Sequence, residues 1–94
     1  MLSPTRYRPH ASRSLGVDFA IAVGAFEVLC RITPDALVEE FGSCKTADDL
    51  LRSFQQNELE IVGKAIRIYK LKLLRGEAHF SPMEPMLIKI VDFW

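Results

Sequence analysis

An alternating apolar pattern over residues 15–32 limits the fold of this chain more than any other feature of its sequence. The apolar positions are Val17, Phe19, Ile21 and Val23 in the first run and Phe26, Val28, Cys30 and Ile32 in the second. A period of two places each run on one face of a β-strand. Gly24-Ala25 separates the runs, and glycine readily adopts the positive φ of a tight hairpin turn. The pattern therefore predicts a β-hairpin.

The intervening positions of the same hairpin carry Asp18, Glu27 and Arg31. Charged side chains on one face and apolar side chains on the other are typical of an antiparallel sheet that is covered on one side only. We therefore expect a solvated sheet face opposite the core.

A first helix is predicted directly after the hairpin. Thr33 can cap the first free N–H groups, Pro34 is tolerated at the first helical position, and Asp35 complements the helix dipole. The apolar residues Leu37, Val38 and Phe41 would form its buried stripe. Gly42 provides a left-handed C-cap, so the helix should be about two turns long.

Thr46 and the acids after it form a second helix start. A helical pattern follows from Ala47 to about Arg75, with Gly76 closing it. Its buried stripe consists of Leu50, Leu51, Phe54, Ile61, Ala65 and Ile68, and the same spacing can extend it to Lys72. A break near Gln56-Asn57 or near Gly63 would interrupt the pattern, because helix propensity falls there. One long or kinked helix and two separate helices remain alternatives.

The apolar run from Met86 to Phe93 predicts a final strand. The chain then reads as an α+β fold of order ββααβ: a small antiparallel-type sheet, made of the hairpin and the C-terminal strand, covered by a short and a long helix. Residues 1–14 form a polar segment that we expect to be a flexible tail. Residues 15–94 should form a single domain.

Charge and cysteine content exclude several function classes. The 12 basic residues balance 12 acidic ones, so the whole chain has no net attraction to nucleic acid or to acidic lipids. No run of about 18 apolar residues is present, so we expect no membrane partner. Cys30 and Cys44 are too few for a disulfide scaffold, and no secretory signal precedes them. We expect reduced thiols in a cytoplasmic protein.

No grouping of residues indicates catalysis. His10 and His79 have no metal-ligand neighbours in sequence, and neither a nucleophile elbow nor a phosphate-binding glycine loop is present. The sequence therefore predicts no catalytic, cofactor-binding or metal-binding residue, and no cofactor. We expect a protein that is not an enzyme.

Charge is unevenly distributed along the helical region. Residues 33–62 hold seven acids and two bases, whereas residues 63–76 hold five bases and no acid. These bases are Lys64, Arg67, Lys70, Lys72 and Arg75. An acidic start and a basic end suit the helix dipole, and this is the favoured interpretation. The alternative is weak binding of nucleic acid through phosphate contacts of segment 63–76.

The terminal Phe93-Trp94 pair would either fold back on the core or form an exposed hydrophobic patch. Asp92 next to it would be exposed where the strand ends, or paired with the hairpin or a partner. With zero net charge, an aromatic patch would favour association of two copies. The most consistent function is a small non-enzymatic interaction module, with a homodimer as one form. Its contact surface would be the uncovered sheet face or Phe93 and Trp94.

A set of residues, most of them expected core positions, is distributed along the chain at characteristic spacings. They are Tyr7, Arg13, Val17, Phe19, Gly24, Val28, Cys30, Ile32, Thr33, Ala36 and Leu37, then Leu50, Leu51, Phe54, Asn57, Ile61 and Ala65, and finally Asp92 and Phe93. This set resembles a small bacterial family catalogued as domain of unknown function 1488. The resemblance implies a short bacterial protein of α+β fold. It brings no activity, cofactor or catalytic residue.

Overall fold

The computed structural model describes residues 8–24, 26–44, 46–76 and 85–93. The strands are β1 (His10–Ser12), β2 (Gly16–Val23), β3 (Phe26–Ile32) and β4 (Met86–Ile88). The helices are α1 (Pro34–Phe41), α2 (Ala47–Gln56) and α3 (Glu58–Leu74), and a 3₁₀ helix spans Ile90–Phe93. The α+β class and the order of the predicted elements are confirmed.

Strands β2 and β3 form the predicted hairpin. Val23 faces Phe26 across the turn, and Gly24 adopts a φ of 60°. This register turns one side of both strands into the protein: Val17 and Cys30 are fully buried, and Phe19 is 1% exposed. The two-residue turn and the inward-facing positions Val17, Phe19 and Cys30 were therefore predicted correctly.

Both helix starts are capped as the sequence indicates. The Thr33 Oγ1 accepts a hydrogen bond from the Ala36 N–H at 3.2 Å, and Thr46 Oγ1 accepts one from the Asp49 N–H at 3.2 Å. Gly42 ends α1 in the left-handed conformation, with a φ of 67°. The caps limit α1 to eight residues, the two turns expected from the sequence.

The long helical pattern divides into two helices at Asn57. Asn57 has φ −118° and ψ 21°, which lies outside the helical region. Its backbone N–H and its side-chain amide both donate to the Ser53 carbonyl, the amide at 2.8 Å, so the end of α2 is closed locally. Of the two predicted break points, Gln56-Asn57 is the one that the chain uses, and Gly63 lies inside α3.

The sheet has the order β1-β2-β3-β4. The first three strands pair antiparallel, and β4 pairs with β3 in parallel. A parallel partner requires a long crossover, and the segment holding α1, α2 and α3 provides it. The sheet is therefore mostly antiparallel, with a parallel edge strand that the hairpin pattern alone did not predict.

Two boundaries differ from the sequence-based expectation. Strand β1 lies within residues 1–14, where a flexible tail was expected, because His10, Ala11 and Ser12 pair with the start of β2. The final strand ends at Ile88 rather than at Phe93, since residues 90–93 turn into a 3₁₀ helix. The Asp92 Oδ2 accepts a hydrogen bond from the Lys89 N–H at 2.8 Å, which closes that turn.

All three helices cover the same face of the sheet. Their buried residues join those of the strands in a single core cluster. At its centre the Phe19 ring of β2 lies 4.8 Å from the Phe54 ring of α2, centroid to centroid. Ile61 of α3 and Leu37 of α1 are fully buried around them. The helices thus form one layer over one sheet face.

Gly16 is the position at which this packing tolerates no side chain. Its φ is 101°, and a Cβ added there would lie 1.9 Å from the Ile32 carbonyl oxygen of β3. We expect Gly16→Ala to destabilise the fold by at least about 2 kcal/mol, because backbone strain and a backbone clash act together. The free energy of unfolding from chemical denaturation, followed by circular dichroism, measures this loss.

Gly42→Ala is the matched control for Gly16→Ala. Gly42 also has a positive φ, but an added Cβ would meet nothing within 4 Å. Gly42→Ala should lower the free energy of unfolding by roughly 1–2 kcal/mol, which is the cost of holding an alanine in the left-handed conformation. If both variants lose the same unfolding free energy, the close approach of Gly16 to β3 makes no contribution to stability.

Candidate interaction surfaces

The sheet face opposite the helices carries a distinct set of side chains, which we call the open face. It comprises His10, Asp18, Ala20, Ala22, Glu27, Leu29, Arg31 and Leu87. The register aligns four of them in one row across the sheet: His10 faces Asp18, Asp18 faces Arg31, and Arg31 faces Leu87. None of the open-face residues belongs to the core cluster. The described helices therefore leave this face to other contacts.

An ion pair lies at the centre of the open face. Arg31 donates from Nε to Asp18 Oδ1 at 2.5 Å and from a terminal nitrogen to Oδ2 at 3.0 Å. This two-point geometry is the strongest that a carboxylate and a guanidinium form. The side chain of Asp18 is 13% exposed and that of Arg31 is 23% exposed, so solvent screens the pair only weakly. It joins β2 to β3 on the side away from the core.

His10 extends this ion pair to the edge strand β1. Its Nε2 lies 3.5 Å from Asp18 Oδ2, and its side chain is 63% exposed. His10 was expected to lie in a flexible tail, whereas in the structure it lies beside a carboxylate. Three strands are thus linked through a single aspartate.

Asp18 and Arg31 lie on the sheet face opposite the core, as predicted, but Asp18 is not exposed to solvent as expected. Asp18 is 9% exposed and belongs to the buried residues, because Arg31 lies against it. The signal for this pair was present in the sequence. Residues 18 and 31 are equidistant from the Gly24-Ala25 turn, so a two-residue hairpin must place them opposite each other.

The five cations predicted as a nucleic-acid contact do not share one surface. Arg67 and Lys70 are exposed on α3, and Arg75 is exposed at its C-cap. Lys64 points to the 3₁₀ helix, with its Nζ 5.6 Å from the centre of the Phe93 ring. Lys72 is half-buried and lies two helical turns after the buried Ala65, on the core side of α3. Only part of the set faces outward.

Phe93, one of the two predicted contact residues, is folded back on the helical layer. Phe93 packs edge-on against Phe41 of α1, with 5.6 Å between ring centres and an interplanar angle of 88°. Together with Lys64 above its ring, this contact gives Phe93 a role in holding the 3₁₀ helix against the helical layer. Trp94, the other predicted contact residue, lies outside the described residues.

Both thiols are less acidic than an ordinary cysteine. Burial raises the pKa of Cys30 to about 12. Cys44 is exposed, but a hydrogen bond with Asp49 and the negative charge of that carboxylate raise its pKa as well. A thiolate is the reactive form of cysteine, so neither environment activates the sulfur. His79, the second histidine of the chain, lies outside the described residues.

Within the described ranges, no three His, Cys, Asp or Glu side chains come together in a way that could hold a metal ion. No helix in the described part of the chain has both the length and the apolar character needed to cross a membrane.

These features define a small α+β domain with a four-stranded sheet, one helical layer and one sheet face outside the core. The chain belongs to the family described as "Protein of unknown function (DUF1488)", whose model matches residues 4–76. The resemblance inferred from core spacings is thereby confirmed over this range, which ends before β4. A search of curated proteins and a search of solved structures each found no match.

The thiol environments predict a defined pattern of reactivity. In the folded protein, Cys44 should react with a disulfide reagent and Cys30 should react only after unfolding. Asp49→Asn should lower the pKa of Cys44, because it removes the carboxylate that raises this pKa. The curve of reaction rate against pH should then shift to lower pH. At pH 8 the reaction should then be faster by a factor of about two or more.

Asp48→Asn makes the same change of charge at the neighbouring position and serves as the control. It should alter the rate of Cys44 less than Asp49→Asn does. Equal rates for the two variants would contradict a specific contact between Cys44 and Asp49.

Proposed function

We propose that this chain is a non-enzymatic interaction module that binds a protein partner through the open face of its sheet. The observation that carries the proposal is the combination of apolar and paired charged side chains on a sheet face outside the core cluster. Leu87 is 44% exposed at one end of the central row, and Leu29 and Ala20 lie opposite each other beside it. A protein partner would cover these apolar groups.

The Asp18–Arg31 pair supports this role in a second way. Its atoms are already paired and largely withdrawn from solvent, so a partner covering the open face would not leave an unpaired charge. Buried unpaired charges are among the strongest obstacles to binding, and this face avoids them at its centre. The raised thiol pKa values agree with a role other than thiol catalysis.

A double variant, Leu29→Lys with Leu87→Lys, tests the open face. The tagged chain should capture a protein from a bacterial cytoplasmic extract, and the double variant should lose it because two lysines replace apolar contacts. With the captured protein purified, calorimetry should give a Kd raised about ten-fold or more, since loss of buried interface side chains typically costs over 1 kcal/mol each.

Val91→Lys provides the control for this experiment. Val91 is 57% exposed and lies in the 3₁₀ helix, which contacts α1 and α3 rather than the open face. The Val91→Lys variant should bind the captured protein with the same Kd as the unaltered chain. If every captured protein binds the double variant as well as the control, the open face is not a binding surface.

Nucleic-acid binding through segment 63–76 is the second candidate. It is supported by the three outward cations Arg67, Lys70 and Arg75 and by the absence of any acid in that segment. Titration of labelled DNA and RNA at 50 and 200 mM salt checks it. Three phosphate contacts predict an affinity loss of about 20- to 40-fold over this range. Absence of binding at the lower salt concentration would reject the proposal.

A cytoplasmic location is part of the same proposal. Cys30 and Cys44 are both free thiols, which is the state that reducing compartments maintain.

A further inference from the structure

Helix α3 has a surface that no described element covers, and we call it the outer face. Ile61, Ala65 and Tyr69 point into the core. The outer face lies opposite them and comprises Leu59, Glu60, Gly63, Arg67, Lys70, Leu71 and Leu74. All seven residues are exposed.

The leucines of the outer face are unusually open to solvent. Leu59 is 72% exposed, Leu71 is 44% exposed, and Leu74 is 85% exposed. A single exposed leucine is ordinary on a protein surface. Three on one side of one helix, at both of its ends, form an apolar surface that another molecule could cover.

Charge on the outer face is segregated along the helix. Glu60 lies in the first turn of α3, whereas Arg67 and Lys70 lie in its second half. None of these three side chains forms an ion pair with a described residue. A second α3 running in the opposite direction would place the acidic end of each helix beside the basic half of the other.

Gly63 lies on the outer face between the acidic and basic ends. A Cβ added at this position would meet no atom within 4 Å, so packing within the chain does not require a glycine. Glycine inside a helix lowers its stability relative to alanine. Its lack of a side chain does allow a second helix to approach closely, within the 8–10 Å range of packed helix axes.

We propose that the outer face of α3 is the contact surface between two copies of this chain, paired antiparallel about a two-fold axis. The proposal goes beyond the open-face function because it concerns the opposite side of the molecule. A two-fold interface brings each residue pair together twice. With the axis at the level of Ala65, Glu60 of one copy stands level with Lys70 of the second copy, and Leu59 with its Leu71. Gly63 stands level with Arg67, for which it leaves room.

A second copy fits this surface better than nucleic acid does. Phosphates would engage Arg67 and Lys70 but would leave Glu60 repelled and the leucines uncovered. An identical helix supplies an acid for Lys70, and it brings Leu59 and Leu71 of the two copies to the same level. The contact is limited to one helix from each copy, so it belongs to the small interfaces, below about 1,200 Å², and we expect a Kd on the order of micromolar.

Charge reversal tests the pairing. Sedimentation equilibrium of the full chain from 5 to 500 µM should show a monomer–dimer equilibrium. Glu60→Lys alone and Lys70→Glu alone should each raise the Kd about ten-fold, because two attractive pairs become repulsive. The double variant Glu60→Lys/Lys70→Glu restores opposite charges across the two-fold axis, so its Kd should return to within about two-fold of the original.

Two further variants separate the interface from general effects. Gly63→Gln should weaken the dimer while leaving the monomer folded by circular dichroism, since the position faces solvent within one chain. Glu39→Lys changes charge by the same amount at an exposed site on α1 and should leave the Kd unchanged. All these residues lie off the open face, so partner capture through that face should persist in each variant.

A chain that remains monomeric at 500 µM overturns the proposal. So does a dimer whose Kd is unaffected by Glu60→Lys and Gly63→Gln, because its interface must then lie elsewhere. Failure of the double variant to recover affinity would overturn the antiparallel arrangement. None of these results affects the open-face proposal, which is tested on Leu29 and Leu87.

Discussion

The register of the β2–β3 hairpin determines most of this structure. Val23 faces Phe26 across the turn, and every later pair along the two strands follows from that contact. A slip of one residue would turn the apolar side chains of one of the two strands, with either Phe19 or Cys30 among them, from the core to the other face of the sheet. The same register sets Asp18 opposite Arg31, so the core and the ion pair of the open face are two consequences of one turn. Gly16 reinforces it, since its close approach to Ile32 permits no other residue there.

A single layer of helices is all that this short chain places on the sheet. The helices meet in one core cluster over one face, and all three belong to the connection between β3 and its parallel partner β4. A domain of this size buries only about 60–65% of the surface of its unfolded chain. One sheet face and the outer side of α3 therefore remain outside the core. The candidate surfaces are the sides of the fold that its length leaves uncovered.

Local signals made much of the fold predictable from the sequence. Alternation marked the hairpin, Thr33 and Thr46 marked the helix starts, and Asn57 was one of two predicted breaks. The Asp18–Arg31 pair could have been derived from the turn. Strand β1 could not, because three residues form a strand only when a partner is already in place. The parallel pairing and early end of β4 likewise depend on contacts distant in sequence, for which short apolar runs carry no signal.

The helix dipole, which the sequence favoured as the reason for the charge distribution on α3, explains only part of it. The helix dipole accounts for acids in the first turns of α2 and α3 and for Lys72 in the last turn of α3. Its influence fades within one turn of each end, whereas Arg67 lies about two turns before Leu74. The dipole therefore does not explain Arg67, and no described residue pairs with it. Its neighbours on the outer face, an acid, a glycine and exposed leucines, are the observations on which we propose a second copy of the helix as the partner of this face.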